Sequence, residues 1–191
     1  MILSKQEILM LAERTCNIAI PGWMRVGVAT PSDCETPYHR FLYLLAGQFK
    51  EPEIVELGTR EGIGAMSLAM GNDFANVHTF DIADQRCGEC KRPNIFFYNQ
   101  DSLMIPLSMP ENIKILFIDT EHDGKRPLKE FTFWQDFVSI GGIIIFDDVE
   151  LNDSMKDFWH NLNPAGYEKI DLPMLHGSGF GLLIKQSEIE E

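Results

Sequence analysis

The sequence predicts an α/β fold in which a mostly parallel, wound β-sheet is covered by helices and closed by a C-terminal antiparallel hairpin. Helical patterns lie between the first two apolar runs and between the fourth and fifth, an order typical of parallel sheets. Near the C-terminus, the apolar stretches 167–173 and 179–186 are separated by too few residues for a parallel crossover, which indicates a hairpin. The five earlier apolar runs are 53–58, 76–82, 94–100, 113–119 and 141–148.

The first fifty residues predict helices rather than strands. Ser4 and Glu7 have the spacing of a capping box before an apolar-periodic stretch, so a short N-terminal helix is expected. A second helix is expected within 38–49, where apolar side chains recur on one face.

Three more helices are expected in the rest of the chain. The first follows the first strand at 63–70, and the third covers 153–162. Between them, Pro127 suits a first helical position. The apolar face of that middle helix is expected to contain Leu128, Phe131, Trp134 and Val138.

Composition limits the function classes. With 191 residues, 45% of them hydrophobic, the chain can build one core, and one domain over 1–191 is expected. A net charge of −13 disfavours nucleic acid as a partner. Charged residues interrupt the first sixteen positions and no later stretch could span a bilayer, so we expect no membrane partner and a cytoplasmic location.

The chain contains four cysteines, and two of them form the sequence CGEC. A zinc knuckle needs two further ligands, and a thioredoxin-like pair should open a helix after the first strand, which this pair does not. We therefore expect ordinary reduced thiols at Cys16, Cys34, Cys87 and Cys90.

A glycine-rich turn, VELGTREGIGAMSLAM, connects the first strand to the following helix. Gly58, Gly62 and Gly64 have the order G-x-x-x-G-x-G, with Glu56 ahead of them. The dinucleotide fingerprint has the order G-x-G-x-x-G, so an NAD enzyme is disfavoured.

Paired acids follow the fifth apolar run in the stretch GGIIIFDDVE. The carboxyl ends of parallel strands meet in one crevice, so Asp147 and Asp148 should lie beside Asp119, which ends the fourth run. Three unpaired carboxylates would repel one another, and a divalent cation such as Mg²⁺ would remove that cost. In the alternative interpretation, Asp148 caps a turn, Asp147 accepts backbone amides and Asp119 contacts only a nucleoside ligand.

The glycine turn resembles motif I of the class I S-adenosylmethionine-dependent methyltransferases, and VHTFDIAD resembles their motif II. YNQDSL is similar to the segment that lies along the adenine in that class. The stretch from LFIDTEHDG to GGIIIFDDV resembles the catechol O-methyltransferase-like and cephalosporin-hydroxylase-like branches. The resemblance covers roughly residues 50–150 and implies a Rossmann-like, seven-stranded methyltransferase fold, with 1–50 as a helical lid segment and 51–191 as the cofactor-binding core.

The resemblance implies S-adenosylmethionine as the cofactor. A carboxylate at the end of the second strand can accept hydrogen bonds from both ribose hydroxyls, which favours Asp81 for that role. Each segment also has a structural interpretation when taken alone: a tight glycine turn, Asp81 as a cap, and an ordinary turn at 101–102. The implied cofactor-binding residues are Glu56, Gly58, Thr59, Gly62, Gly64, Asp81, Ile82, Asp101, Ser102 and Asp119.

The same resemblance implies metal ligands and catalytic residues. The carried-over ligands of Mg²⁺, or of another divalent cation, are Asp119, Asp147 and Asp148, and the metal lowers the pKa of a substrate hydroxyl. Asp119 and His122 are the implied catalytic residues, with His122 as general base, where the cephalosporin-hydroxylase-like relatives often carry histidine. The catechol enzymes carry lysine there, which argues against a catechol substrate.

Other charged and imidazole side chains are expected to have ordinary roles. The cluster of Lys125, Arg126 and Lys129 suits a solvated helix start better than an anion site. Structural or surface roles are favoured for the remaining histidines, although two of them lie in segments that could fold over the pocket. These histidines are His39, His78, His160 and His176.

Together these expectations favour metal-assisted O-methylation of a small hydroxylated acceptor, such as a sugar or a secondary metabolite. Two alternatives remain open: a catalytically silent cofactor-binding or assembly module, and a metal-dependent hydrolase or lyase that uses Asp119, Asp147 and Asp148. The sequence leaves self-association into a homo-oligomer open, and acceptor pockets built from loops leave the acceptor unidentified.

Overall fold

The computed structural model of the protein describes residues 2–15, 37–87, 90–104 and 110–187. Its centre is a seven-stranded sheet with the strand order β3-β2-β1-β4-β5-β7-β6. The strands are β1 (Glu53–Leu57), β2 (Asn76–Asp81), β3 (Ile95–Asn99), β4 (Ile113–Ile118), β5 (Val138–Asp147), β6 (Tyr167–Asp171) and β7 (Phe180–Lys185). The helices are α1 (Lys5–Thr15), α2 (Pro37–Ala46), α3 (Ile63–Gly71), α4 (Lys125–Trp134) and α5 (Asp153–Asn161), and a 3₁₀ turn, Gln135–Phe137, follows α4.

The pairing of the strands confirms the predicted fold class. Strands β1 to β5 pair in parallel, whereas β7 runs antiparallel to both β5 and β6. The strand order reverses direction along the chain between β1 and β4, so the crevice at the carboxyl ends of these two strands is the switch point of the sheet. Ligands bind at such points in open α/β sheets.

Two apolar cores cover the two faces of the sheet, because the central strands are buried on both sides. One core contains the apolar faces of α1, α2 and α3, and the other contains those of α4 and α5. Helices α2 and α3 approach closely where a Cβ on Gly71 would overlap the carbonyl oxygen of Tyr43. The two helices therefore pack against each other at this glycine. No helix within the described ranges is long and apolar enough to cross a membrane.

The predicted N-terminal helix and its capping box are confirmed. Glu7 Oε2 accepts a hydrogen bond from the backbone nitrogen of Ser4 at 2.8 Å, and Ser4 Oγ accepts one from the nitrogen of Glu7 at 3.3 Å. These two bonds form the capping box of α1. Of the predicted lid segment, 16–36 lies outside the described residues.

The middle helix differs from the prediction. It begins at Lys125, so Pro127 is its third residue, and Leu128 is 47% exposed instead of lying on the buried face. Val138 belongs to β5, where it pairs with Ile113. The reason is that the 3₁₀ turn ends the helical repeat one turn earlier than the apolar periodicity indicates.

The expectation of reduced thiols is wrong for the CGEC pair, since Cys87 and Cys90 form a disulfide. The nitrogen of Cys90 donates to the carbonyl of Cys87 at 3.1 Å, and this turn brings their Cα atoms to 5.3 Å, within the range that a disulfide requires. Cys16 and Cys34 lie outside the described residues.

Candidate active site

The glycine turn, residues 58–64, lies at the carboxyl end of β1. Gly58 has φ +95° and Gly62 has φ +87°, a region that only glycine adopts freely. A Cβ on Gly58 would overlap the carbonyl oxygen of Asp119, so this glycine lets the ends of β1 and β4 approach each other. A Cβ on Gly64 would overlap Oε1 of Glu56. The lack of a side chain at Gly58 and Gly64 therefore lets the turn pack closely against Asp119 and Glu56.

Glu56 is buried beneath this turn and is hydrogen-bonded within the chain. Its Oε2 accepts from Thr79 Oγ1 at 2.5 Å, and Thr59 Oγ1 lies 2.5 Å from the same hydroxyl. Burial raises the pKa of Glu56 to about 8, and the Thr79 hydrogen bond opposes that shift. This acid and the two threonines connect β1, the glycine turn and β2.

Asp81 ends β2 and faces the glycine turn. Its Oδ2 accepts from the backbone nitrogen of Arg60 at 2.8 Å, and its Oδ1 accepts from the nitrogen of Ala83 at 3.0 Å. Each carboxylate oxygen keeps a further lone pair for a ligand. A cavity of about 340 Å³, here called the turn cavity, is lined by Gly58, Asp81, Ile82, Asp101, Ser102 and Asp119, among others.

A second network fixes the far wall of the turn cavity. Arg126 donates to Asp101 Oδ1 at 2.5 Å and to Glu130 Oε1 at 2.8 Å, and it lowers the pKa of Asp101. Glu130 is fully buried and also accepts from Ser102 and Thr120 at 2.5 and 2.6 Å. The expectation of a solvated helix start is therefore wrong for Arg126, which ties α4 to the segment after β3.

The acidic side chains expected after β4 and β5 do meet at one edge of the sheet. They form, with two imidazoles, a cluster called here the acidic mouth: Asp119, His122, Asp147, Asp148 and His176. Asp148 has φ +57°, a left-handed conformation that aspartate tolerates better than most residues. This conformation directs the chain away from the end of β5.

Asp147 is the most buried member of the acidic mouth, with 3% of its surface exposed. Its Oδ1 accepts from the backbone nitrogen of Asp148 at 2.9 Å and lies 2.8 Å from His176 Nδ1. Burial raises the pKa of Asp147, and the hydrogen bond with Asp147 raises the pKa of His176. Asp147 thus fixes the orientation of an imidazole from the β6–β7 connection.

His122 lies on the opposite side of the acidic mouth. Its Nε2 is 3.0 Å from Asp148 Oδ2 and 3.6 Å from Asp119 Oδ1, and these carboxylates, Asp119 first, raise the pKa of His122. The Nε2 atom itself is buried, while 33% of the His122 side chain is exposed, so the imidazole is held between these two carboxylates at the edge of the cavity. Asn152 Nδ2 donates to the carbonyl of His122 at 2.8 Å and holds this loop against the start of α5.

A second cavity, of about 400 Å³, opens over the acidic mouth and is called here the mouth cavity. Tyr38 and His39 of α2 line it, and the Tyr38 ring lies 5.0 Å from the ring of His176. Burial and the nearby carboxylates raise the pKa of Tyr38, so its hydroxyl remains protonated. Tyr38 could not be identified as a lining residue from the sequence, because its position depends on how α2 packs onto the sheet.

The predicted cofactor residues fall around the two cavities with one exception. All except Gly62 line the turn cavity or the mouth cavity, and Gly62 instead precedes the first residue of α3. Gly58 and Asp119 line both. Of the other histidines, His78 bonds to Tyr98 and Glu53 in the sheet, which agrees with a structural role.

The acidic mouth has the donor atoms that a divalent cation requires. Within the described residues, two sets of ligand atoms lie within 4.8 Å of one another: Asp119, His122 and Asp148, and Asp147, Asp148 and His176. The predicted set of Asp119, Asp147 and Asp148 is not one of them. The carboxylate oxygens and imidazole nitrogens of these sets are donor types that divalent metal ions bind.

Known proteins resemble this chain in sequence and in fold. Residues 55–149 match the family described as "Methyltransferase domain". An uncharacterised protein of Acanthamoeba polyphaga mimivirus is 30% identical over 126 residues. That alignment covers 56% of this chain and only 56% of the length of the viral protein.

Two solved methyltransferase structures have the same fold as this chain. The SAH-bound methyltransferase PaMTH1 of Podospora anserina superposes with a TM-score of 0.70 at 15% identity, covering 98% of each chain. The O-methyltransferase from Bacillus cereus, in complex with SAH, gives a TM-score of 0.59 at 18% identity, covering 97% of this chain and 93% of the other. At these identities the structures establish the fold. Residues 55–149 therefore match the methyltransferase-domain family in sequence, and the described chain shares its fold with SAH-bound methyltransferases.

Proposed function

We propose that the protein transfers the methyl group of S-adenosylmethionine to a hydroxyl oxygen of a small acceptor molecule, with a divalent cation at the acidic mouth. One observation carries this proposal. Asp119 lines both the turn cavity and the mouth cavity, so a nucleoside in the first would lie next to a hydroxyl in the second. The structures similar to this chain include two methyltransferases bound to SAH.

The turn cavity would hold the nucleoside part of the cofactor. The Asp81 carboxylate is fixed by two backbone amides and can accept from ribose hydroxyls, while Arg126 keeps the segment around Asp101 in place. S-adenosylmethionine supplies a methyl group on a positively charged sulfur. The Asp119 carboxylate at the junction favours that charge electrostatically.

The mouth cavity would hold the acceptor. Methyl transfer is an in-line displacement in which the carbon–oxygen bond forms as the carbon–sulfur bond breaks, so the cavity contributes mainly by aligning the reacting atoms. The acceptor hydroxyl gives up its proton, and the imidazoles of His122 and His176 line the same cavity as candidate proton acceptors. Tyr38 forms the part of the mouth-cavity wall that lies between α2 and His176.

A divalent cation would supply Lewis acidity at the acidic mouth and lower the pKa of an acceptor hydroxyl. The charge of three neighbouring carboxylates favours its binding. This part of the proposal is separable from the methyl donor, because Asp81 lines the turn cavity and not the mouth cavity.

Calorimetric titration of S-adenosylmethionine into the purified protein tests the proposal, with Mg²⁺ and with EDTA. We expect binding that Asp81→Ala weakens at least tenfold, whereas Asp73→Ala, which changes an exposed acid of the loop before β2, leaves it unchanged. Absence of binding to the unaltered protein would contradict the methyltransferase proposal. Metal binding without cofactor binding would favour a hydrolase or lyase, and cofactor binding without transfer to any hydroxylated acceptor would favour a silent module.

A further inference from the structure

We propose that Cys87 and Cys90 are a redox-active pair, whose disulfide holds the glycine turn in the shape that binds S-adenosylmethionine and whose reduction by a dithiol weakens that binding. The inference rests on the proposed function for the identity of the ligand. It gives a role to the CGEC sequence, which the proposed methyl transfer does not use.

The first step concerns the position of the pair. It belongs to the segment 81–90, here called the disulfide segment, which starts at the last residue of β2. At the start of this segment, Asp81 Oδ2 accepts a hydrogen bond from the backbone nitrogen of Arg60 at 2.8 Å. Further along, the nitrogen of Cys87 donates to the carbonyl of Glu61 at 3.0 Å. The disulfide segment is therefore bonded to two successive residues of the glycine turn.

The second step concerns the contact at Gly62. A Cβ on this glycine would lie 3.1 Å from Cβ of Cys90 and 3.6 Å from Cγ of Arg86, so the disulfide segment packs directly against the turn. The nitrogen of Gly62 donates to the carbonyl of Thr59 at 2.7 Å, which closes the turn before α3. Because the disulfide joins Cys90 to Cys87, it fixes the surface on which Gly62 rests.

The third step shows that the effect of the disulfide is local. Arg86 has its own attachments, since two of its nitrogens each lie 2.8 Å from a carboxylate oxygen of Asp84 and its guanidinium lies 3.8 Å from the centre of the Phe97 ring. A disulfide between residues three positions apart also constrains the unfolded chain less than one that closes a long loop. Reduction therefore releases the contact at Gly62 without unfolding the domain.

The fourth step is the exchange reaction itself. Cys87 is partly exposed, whereas Cys90 is only 6% exposed, so an external thiolate reaches the sulfur of Cys87 first. As this thiolate bonds to Cys87, the disulfide breaks and Cys90 leaves as a thiolate that takes a proton from water. The second thiol of the reductant then displaces Cys87 and forms the reductant's own disulfide. Two electrons and two protons thus pass from the dithiol to the pair.

Calorimetric titration of S-adenosylmethionine into oxidised and dithiothreitol-reduced samples of the full chain tests the inference, with the state of each sulfur read by alkylation and mass spectrometry. We expect the Kd to rise at least fivefold on reduction and to return on reoxidation. The double variant Cys87→Ser/Cys90→Ser should have the weaker affinity under both conditions. The control Cys16→Ser/Cys34→Ser, which removes the other two cysteines, should respond as the unaltered chain does.

Hydrogen exchange gives a readout that needs no cofactor. We expect the Gly62 amide to exchange at least tenfold faster in the reduced protein, while the amides of the central strand β5 keep their protection. Thermal unfolding confirms that both samples are folded.

Three results would overturn the inference: a pair that stays reduced in oxidised glutathione, equal Kd values in the two redox states, or an exchange rate at Gly62 that is the same in both. If S-adenosylmethionine bound in neither state, the proposed function would fail. A redox-dependent exchange rate at Gly62 would in that case still support the hold of the disulfide on the turn.

Discussion

The glycine turn and the acidic mouth both place carboxylates at the carboxyl ends of strands, but they satisfy them differently. At the turn, Glu56 and Asp81 receive hydrogen bonds from threonine and from backbone amides of the same chain. At the mouth, three carboxylates share two imidazoles, which lie 2.8 to 3.6 Å from them. The carboxylates of the turn are thus held by uncharged donors of the same chain, whereas those of the mouth lie close to one another and depend on imidazoles for neutralisation.

The largest expected change in stability comes from adding a side chain to the glycine turn. Gly58→Ala places a side chain against the carbonyl of Asp119 at a φ of +95°, so we expect a loss of at least about 3 kcal/mol in the free energy of unfolding. Urea denaturation measures it. The control Gly177→Ala has no atom within 4 Å of its new Cβ and should change stability by less than about 0.5 kcal/mol. Similar losses in both variants would contradict the close approach at Gly58.

Removing the hydrogen bonds of Arg126 should reduce the free energy of unfolding by a similar amount. Arg126→Met leaves the fully buried carboxylate of Glu130 without its cation, and we expect a loss of about 3 kcal/mol in the free energy of unfolding. Lys129→Met, on the exposed face of the same helix, serves as the control for urea denaturation. A loss no larger than that of the control would show that Ser102 and Thr120 satisfy Glu130 without the arginine.

The buried acid of the turn predicts a pH dependence of stability. The pKa of Glu56 is raised from 4.5 to about 8, so its contribution to stability is fully present below pH 4.5 and is lost as the pH rises through 8. Because the side chain in Glu56→Gln does not titrate, the difference in unfolding free energy between the variant and the unaltered protein should grow by about 1.4 kcal/mol for each pH unit between the two pKa values. Denaturation at several pH values measures it, and a constant difference would contradict the raised pKa.

A substitution that removes charge from the acidic mouth should stabilise the protein, whereas the substitutions at Gly58 and Arg126 should destabilise it. In EDTA at pH 9, well above the usual pKa of imidazole, Asp148→Asn removes one of three neighbouring negative charges, and we expect it to raise the free energy of unfolding by about 1 kcal/mol. Asparagine also tolerates the φ of +57° at this position. Asp157→Asn, an exposed acid on α5, is the control. Thermal unfolding measures both, and destabilisation by Asp148→Asn would show that the mouth is satisfied without a cation.

The sequence allowed the sheet and the glycine turn to be predicted, because both depend on local patterns. Apolar runs give the strands, and the spacing of Gly58, Gly62 and Gly64 gives the turn. The meeting of Asp119 with Asp147 and Asp148 followed from the common direction of parallel strands.

What the sequence did not reveal depends on contacts between distant segments. The bonds from Asp147 to His176 and from Arg126 to Asp101 join residues 29 and 25 positions apart, and no local pattern indicates such partners. Likewise, Tyr38 reaches the mouth cavity only through the packing of α2. The end of α4 was misplaced because Val138 continues the helical spacing of apolar residues while the sheet pairs it as a strand.

A crystal structure of the protein grown with S-adenosylhomocysteine and Mn²⁺, with the anomalous signal of manganese recorded, tests the central claim most directly. The account predicts the ribose at Asp81 in the turn cavity and a manganese peak at the acidic mouth. A nucleoside bound away from Asp81, or no manganese peak at the acidic mouth, would contradict it.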